Sequence, residues 1–90
     1  MILSISYTLK KPIQSYGLLY EKIKSIGTWC HPLESHWFVE STSEPTVIRD
    51  YLLNTGAIDT DDAILVTVVE KGYASQNLDS TVLLWLKQKL

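Results

Sequence analysis

The sequence has little cysteine, no long apolar run and no basic start, and each shortage excludes a class of protein. Cys30 is the only cysteine in 90 residues, so a disulfide within one chain cannot form. No stretch approaches the roughly 20 consecutive apolar residues that a membrane-spanning helix needs. The opening MILSISYTLK lacks the charged start and long apolar core of a signal peptide. We therefore expect a reduced, cytoplasmic protein that does not associate with membranes.

Positive charge is also in short supply. Eight lysines and arginines face ten acidic residues, which gives a formal net charge of −2. Proteins that hold nucleic acid by bulk electrostatics usually carry a clear basic excess. Any contact with nucleic acid must therefore be local, around a few lysines, or must be built by joining two copies.

The length and the pattern of the chain predict one domain over residues 1–90. The first segment alternates apolar and polar residues, as a strand with one buried face does. The whole chain has the element order β-α-β-β-α-β followed by a helix, and its most apolar strand, AILVTVVE, is expected to be central or well covered. This order predicts an α+β fold, a ferredoxin-like βαββαβ sandwich with an additional C-terminal helix. A chain this short buries only about 60% of its extended surface, which favours dimerisation.

The segment GTWCHPLESHWF, residues 27–38, concentrates the reactive side chains. It contains two of the three tryptophans, both histidines and the only cysteine, and its pattern predicts a hairpin. His31 and His36 are too few to make a zinc site, which needs three or four ligands. Cys30 and His31 are neighbours on a strand and therefore point to opposite faces. We expect no metal and no cofactor here, and we expect Cys30 to be a small buried residue.

Two further patterns have a structural and a functional interpretation. Trp29, Trp37 and Phe38 would suit a platform for stacking bases, but packing in the core or in an interface is the favoured interpretation. The acidic run at residues 59–62 resembles a metal cluster in composition only. It lacks the ligand spacing of a calcium loop, so a solvated turn is expected.

Several segments together resemble a family of small bacterial and phage proteins labelled SinR-like. This family is related in fold to the CRISPR-associated protein 2 and virulence-associated protein D ribonucleases. The resemblance covers nearly the whole chain and is most specific in the hairpin. The matching segments are SYTLKKP, IKSIG, WCHPLESHW, IRDYL and WLK.

The resemblance implies a homodimer that adds strands between subunits and associates with nucleic acid. In the nuclease relatives an aspartate at the end of the first strand binds a divalent metal, and this chain has Thr8 there. A hydroxyl is a poor substitute for a carboxylate as a ligand of a hard metal ion. The second tryptophan of the hairpin pattern is Cys30, which also weakens the transfer of a site.

The predicted function is therefore a small homodimeric, nucleic-acid-associated binding module without metal-dependent nuclease activity, with RNA or DNA as partner. Lys10 and Lys11 are the predicted phosphate contacts and Trp37 is the nearby stacking group. The double change Lys10→Glu with Lys11→Glu should then weaken binding.

Two alternatives stay open, so enzymatic activity is left undecided. The first is a metal-independent, toxin-like endoribonuclease with His31 or His36 as general base, assisted by Tyr7 or Ser35, because a histidine pKa lies near neutrality. Cleavage that survives a chelator and vanishes in His31→Ala would identify it. The second is a phage or mobile-element protein that binds another protein or a small nucleotide, which copurification of that partner would support.

Overall fold

A four-stranded antiparallel sheet and three helices form the part of the chain that a computed structural model describes, residues 1–10 and 16–90. The fold is therefore α+β. The strand order is β2-β3-β1-β4. The elements are β1 (Ile2–Thr8), α1 (Tyr16–Lys24), β2 (Trp29–Leu33), β3 (His36–Glu40), α2 (Pro45–Asn54), β4 (Ala63–Val69) and α3 (Ser80–Lys89).

Strand β1 lies inside the sheet and confirms the predicted alternation. Its Leu3, Ile5 and Tyr7 are buried in the main core, while Ser4 and Ser6 face the other side of the sheet. The strand pairs with β3 on one side and with β4 on the other, both antiparallel. This double pairing fixes the register of the sheet around the first strand.

Strand β4 is at an edge of the sheet and none of its residues is fully buried, so the expectation that it is central or well covered was wrong. Its Leu65 is 64% exposed and its Val68 is 46% exposed. The cause is topological, because β1 already occupies the inner position and pairs with β4 on one side only. An apolar composition shows that a strand can be buried, but it does not determine which strands lie on both sides of it.

The three helices divide between the two faces of the sheet. Buried residues of α1 and α2 join the main core together with Trp37 and Val39 of β3. Helix α3 forms a separate cluster on the opposite face, where its Val82 and Leu86 pack with Cys30. The C-terminal helix therefore has a packing partner within its own chain. No helix in the described part of the chain combines the length and apolar character that crossing a bilayer requires.

One glycine is fixed by a close approach between two segments. Gly27 lies between α1 and β2, and a Cβ atom built on it would collide with the main-chain oxygen of Glu40. The neighbouring hydrogen bond from the Glu40 amide to the Thr28 carbonyl, 2.8 Å long, holds these segments together. Only a residue without a side chain fits this junction, which sets where β2 begins.

Candidate functional site

The two histidines of the hairpin lie on opposite faces of the sheet. His31 stacks on Trp37 on the face that α1 and α2 cover. His36 lies beside Phe38 on the other face, and its Nε2 is 2.7 Å from the Ser4 hydroxyl. The two imidazoles therefore belong to different surroundings and do not converge on one site.

His31 is held in an aromatic cluster by contacts on several sides. Its ring is parallel to that of Trp37, with 3.8 Å between centroids and 11° between planes. Tyr20 meets both rings edge-on at 5.1 Å. Tyr16 extends the cluster from Tyr20 towards Tyr7. Offset and edge-on pairs of this kind stabilise aromatic clusters, so the position of His31 is set by packing.

A main-chain carbonyl fixes the protonation pattern of His31. Its Nε2 lies 3.0 Å from the oxygen of Glu34, which can only accept a hydrogen bond. The ring must therefore carry its proton on Nε2, and in the neutral imidazole the lone pair is on Nδ1. His31 is only partly buried, so this arrangement is compatible with a general base.

The other two predicted catalytic residues are Tyr7, which shares the Glu34 carbonyl with His31 as a hydrogen-bond acceptor, and Ser35, which follows Glu34 in the turn. The Tyr7 amide donates to the Ser35 carbonyl at 3.2 Å, which ties β1 to the hairpin turn. The Tyr7 hydroxyl accepts from Trp37 Nε1 at 3.0 Å and donates to the Glu34 oxygen at 3.4 Å. Burial raises the pKa of Tyr7 to about 12, so its hydroxyl stays protonated at neutral pH. Ser35 is exposed on the turn.

The predicted nucleic-acid residues are dispersed rather than brought together. Trp37 is 1% exposed and carries His31 on one face, so in this arrangement no base can stack on it. Lys10 is exposed, but its amide donates to the carboxylate of Asp62 at 2.9 Å, which places it beside an acidic turn. Lys11 lies outside the described residues.

A different basic and aromatic group lies where β2 begins. Trp29 is 38% exposed, and the Lys24 ammonium lies 4.8 Å from the centroid of its ring. Lys24 ends α1 and Trp29 opens β2, so the short turn through Gly27 brings the two side chains together. This is a cation–π contact at an edge strand of the sheet.

The end of α3 is fixed near the start of β2 by an ion pair. The Lys89 ammonium pairs with Glu40 Oε1 at 3.1 Å, and the Thr28 hydroxyl donates to the same oxygen at 3.0 Å. These hydrogen bonds hold the pKa of Glu40 below its usual value. The charge of Lys89 is therefore balanced by Glu40, and the cation beside Trp29 is Lys24. We call the pair of Lys24 and Trp29 the basic corner.

The sequence alone does not connect Lys24 with Trp29. Lys24 lies in the last turn of α1, where the helix dipole favours a cation. That preference concerns the helix by itself. The turn between α1 and β2 is what brings the ammonium over the Trp29 ring.

The acidic turn at residues 59–62 has a structural role, which its hydrogen bonds show. One carboxylate oxygen of Asp62 accepts from the Lys10 amide and the other from the Asp59 amide, both at 2.9 Å. Ligand atoms of Asp59, Asp61 and Asp62 lie within 4.8 Å of one another. The hydrogen bonds of Asp62 close the turn that leads into β4, in agreement with the expected solvated turn.

Cys30 is buried, as expected, and lies on the face away from the His31 ring. It packs with Val82 and Leu86 of α3. Burial raises the pKa of its thiol to about 11, so the reactive thiolate is scarce at neutral pH. A role as nucleophile paired with His31 is not supported by this geometry.

Comparisons with known proteins give no match, whether with family models, with curated proteins or with solved structures.

Proposed function

We propose that this chain is a homodimeric, ferredoxin-like module that binds single-stranded nucleic acid locally, at the basic corner. The proposal keeps the resemblance to SinR-like proteins and to the CRISPR-associated protein 2 fold. In this proposal Lys24 and Trp29 take the place of Lys10, Lys11 and Trp37 as the contact residues. It places the contact at the edge strand β2, away from the acidic turn.

The observation that carries the proposal is the exposed Trp29 ring with the Lys24 ammonium over it. A base that stacks on this face would displace the ammonium, and the long lysine side chain would then reach the phosphate. Stacking on aromatic rings is a common way to hold unpaired bases, whereas paired bases are already stacked within a duplex. The corner therefore favours single strands over duplexes.

The dimer is proposed to form through the free edge of β4. This strand has seven residues, none of them charged, and main-chain groups on its outer side are left for another strand. Acidic residues flank the strand, with Asp61 and Asp62 before it and Glu70 directly after it. The pairing of two copies would therefore rest on main-chain hydrogen bonds rather than on complementary charge.

Metal-dependent cleavage is not part of the proposal. Thr8, at the end of β1, stands where the nuclease relatives carry the aspartate that binds a divalent ion, and a hydroxyl is a weaker ligand than a carboxylate.

The binding test is fluorescence anisotropy of labelled single-stranded RNA, single-stranded DNA and duplex DNA at low salt, with and without magnesium. We expect saturable binding of single strands that does not need magnesium. Trp29→Ala and Lys24→Gln should each weaken it about fivefold to tenfold, given the worth of a stacked base or a phosphate contact. Lys71→Gln removes an exposed lysine away from the corner and serves as the matched control.

Two results would contradict the proposal. One is the absence of binding up to about 50 μM, a concentration at which even non-specific contacts are usually detected. The other is a loss of affinity in Lys10→Glu with Lys11→Glu while Lys24→Gln binds normally. The first result would favour a protein or small-nucleotide partner, which copurification would then identify.

The dimer is tested separately by light scattering after size exclusion. We expect a dimer for the natural chain and a monomer for Val68→Lys, because a charge on a sheet edge opposes strand addition. A natural chain that is monomeric at about 100 μM would exclude a dimer tighter than that concentration.

The fixed tautomer of His31 favours a second candidate function, a metal-independent endoribonuclease. Its Nδ1 would accept the proton of an RNA 2′-hydroxyl, while the Glu34 carbonyl holds the ring in place. Cleavage of RNA in the presence of a chelator, lost in His31→Ala and retained in His36→Ala, would support it. Intact RNA after prolonged incubation would exclude it.

A further inference from the structure

A cavity of about 280 Å³ lies on the face of the sheet that α3 covers, separate from the basic corner. It is bounded by the hairpin turn, by β3 and by the loop that leads from β4 to α3. The residues that define it are Leu33, His36, Phe38, Tyr73, Gln76 and Leu78. Most of its lining is apolar, and it also contains hydrogen-bonding side chains.

Two aromatic side chains form walls of the cavity. Phe38 is half-buried, and its ring stacks on Trp85 of α3 with 6.4 Å between centroids and 18° between planes. This contact fixes the orientation of the Phe38 ring. Tyr73 is 48% exposed and projects from the loop, so it forms the outer wall.

The polar groups of the cavity are few and uncharged. His36 lies beside Phe38, at 4.7 Å between centroids, and the Ser4 hydroxyl engages only its Nε2. Burial, and to a lesser extent the proximity of His31, lower the pKa of His36, so the ring is neutral at pH 7. Gln76 contributes an amide and Ser75 a hydroxyl. Among the described residues that line the cavity there is no lysine, arginine, aspartate or glutamate.

We infer that this cavity is a binding site for a small uncharged molecule with a planar apolar body and one hydrogen-bonding group. Pockets of this type are mostly apolar and use a few polar groups to orient the ligand. A phosphate or carboxylate group would lose its hydration here without gaining a cation. The site therefore differs in ligand chemistry from the basic corner, and it exists whether or not the corner binds nucleic acid.

The test uses p-cresol as the uncharged probe and 4-methylbenzoate as its charged counterpart, followed by amide chemical shifts of the ¹⁵N-labelled protein. We expect p-cresol to bind with a Kd on the order of 1 mM, which is ordinary for a ligand of so few atoms. The shifts should be confined to residues 73–78, to β3 and to the hairpin turn. The benzoate should bind at least about tenfold more weakly, because the cavity offers its charge no partner.

Variants distinguish the cavity from general surface adhesion. Tyr73→Ala removes an exposed wall without touching the core and should weaken p-cresol about fivefold, the usual worth of an aromatic contact. Lys71→Ala changes the same loop outside the cavity and should leave the Kd unchanged. Shifts spread over the whole surface, equal affinity for the benzoate, or unchanged binding in Tyr73→Ala would each overturn the inference.

Discussion

The two faces of the sheet use the same strands for different purposes. On the face that α1 and α2 cover, Trp37 is fully buried and contacts Tyr20, Trp29 and His31. On the other face the neighbouring Phe38 is half-buried beneath α3 and lines an open cavity. Adjacent residues of one strand therefore serve a closed core and an accessible surface. Composition places aromatic residues in the hairpin, but only the pleat decides which of them can meet a ligand.

His31 and His36 show the same difference between the two faces of the sheet. The position of His31 is set by stacking and by a carbonyl, whereas His36 pairs with a serine hydroxyl in an environment that lowers its pKa. They are only five residues apart in the sequence. Because they lie on opposite faces, each must be tested separately.

Shortening the aromatic side chain on each face should give the largest difference. Trp37→Ala should cost about 3–5 kcal/mol of unfolding free energy, since it removes a buried aromatic ring and leaves the Tyr7 hydroxyl without its donor. Phe38→Ala should cost about half as much, because that side chain is only partly buried. Urea unfolding measures both values. Equal losses would mean that the two faces are equally buried in solution.

A glycine pair tests the junction that positions the exposed edge of β2. Gly27→Ala should destabilise by about 1–3 kcal/mol, because the added methyl collides with the Glu40 carbonyl and must push the backbone apart.

Gly17→Ala is the matched control. Its added methyl meets no atom within 4 Å, and alanine favours a helix, so this variant should gain about 0.5–1 kcal/mol. A Gly27→Ala protein as stable as the natural chain would contradict the close approach of these segments.

A smaller effect is expected from pH, which should change the free energy of unfolding through His36. The pKa of His36 is lowered in the folded state, so below its ordinary value of 6.5 the unfolded chain takes up a proton before the folded chain does. Stability contributed by the neutral ring is therefore present above that pH and is lost as the pH falls through the lowered value.

Chemical unfolding at a series of pH values between about 7 and 5 measures this effect. His36→Gln should flatten the dependence, since glutamine has no proton to gain. An unchanged slope in that variant would assign the pH dependence to other groups.

Much of the fold was predictable because strong local signals agreed. The alternation in β1, the hairpin around residues 34 and 35, and the separate C-terminal helix all follow from period and turn residues. The position of β4 could not be predicted in this way, because the apolar content of a strand does not determine its place in the sheet. Residue type also does not determine where α2 begins. Ser43 is a good capping residue by type, but the Ncap is Glu44, directly before Pro45.

The candidate sites were less predictable, for a physical reason. The Tyr7 hydroxyl and His31 Nε2 both reach the Glu34 carbonyl, because the register of β1 and β3 brings the end of β1 to the turn, and Ser35 joins them through its main-chain carbonyl. The basic corner depends on the conformation of the turn between α1 and β2, which brings Lys24 over Trp29. The cavity depends on the path of the loop before α3, so it joins segments distant in sequence. Residue spacing carries no information about such contacts.

The most direct test of the central claim is the salt dependence of RNA binding in three proteins: the natural chain, Lys24→Gln and Lys10→Gln. Each phosphate contact contributes about 0.7 to the slope of log affinity against log salt for single strands. We predict that Lys24→Gln lowers the slope by about that amount and that Lys10→Gln leaves it unchanged. An unchanged slope in Lys24→Gln, with a lower slope in Lys10→Gln, would contradict the account and return the contact to the end of β1.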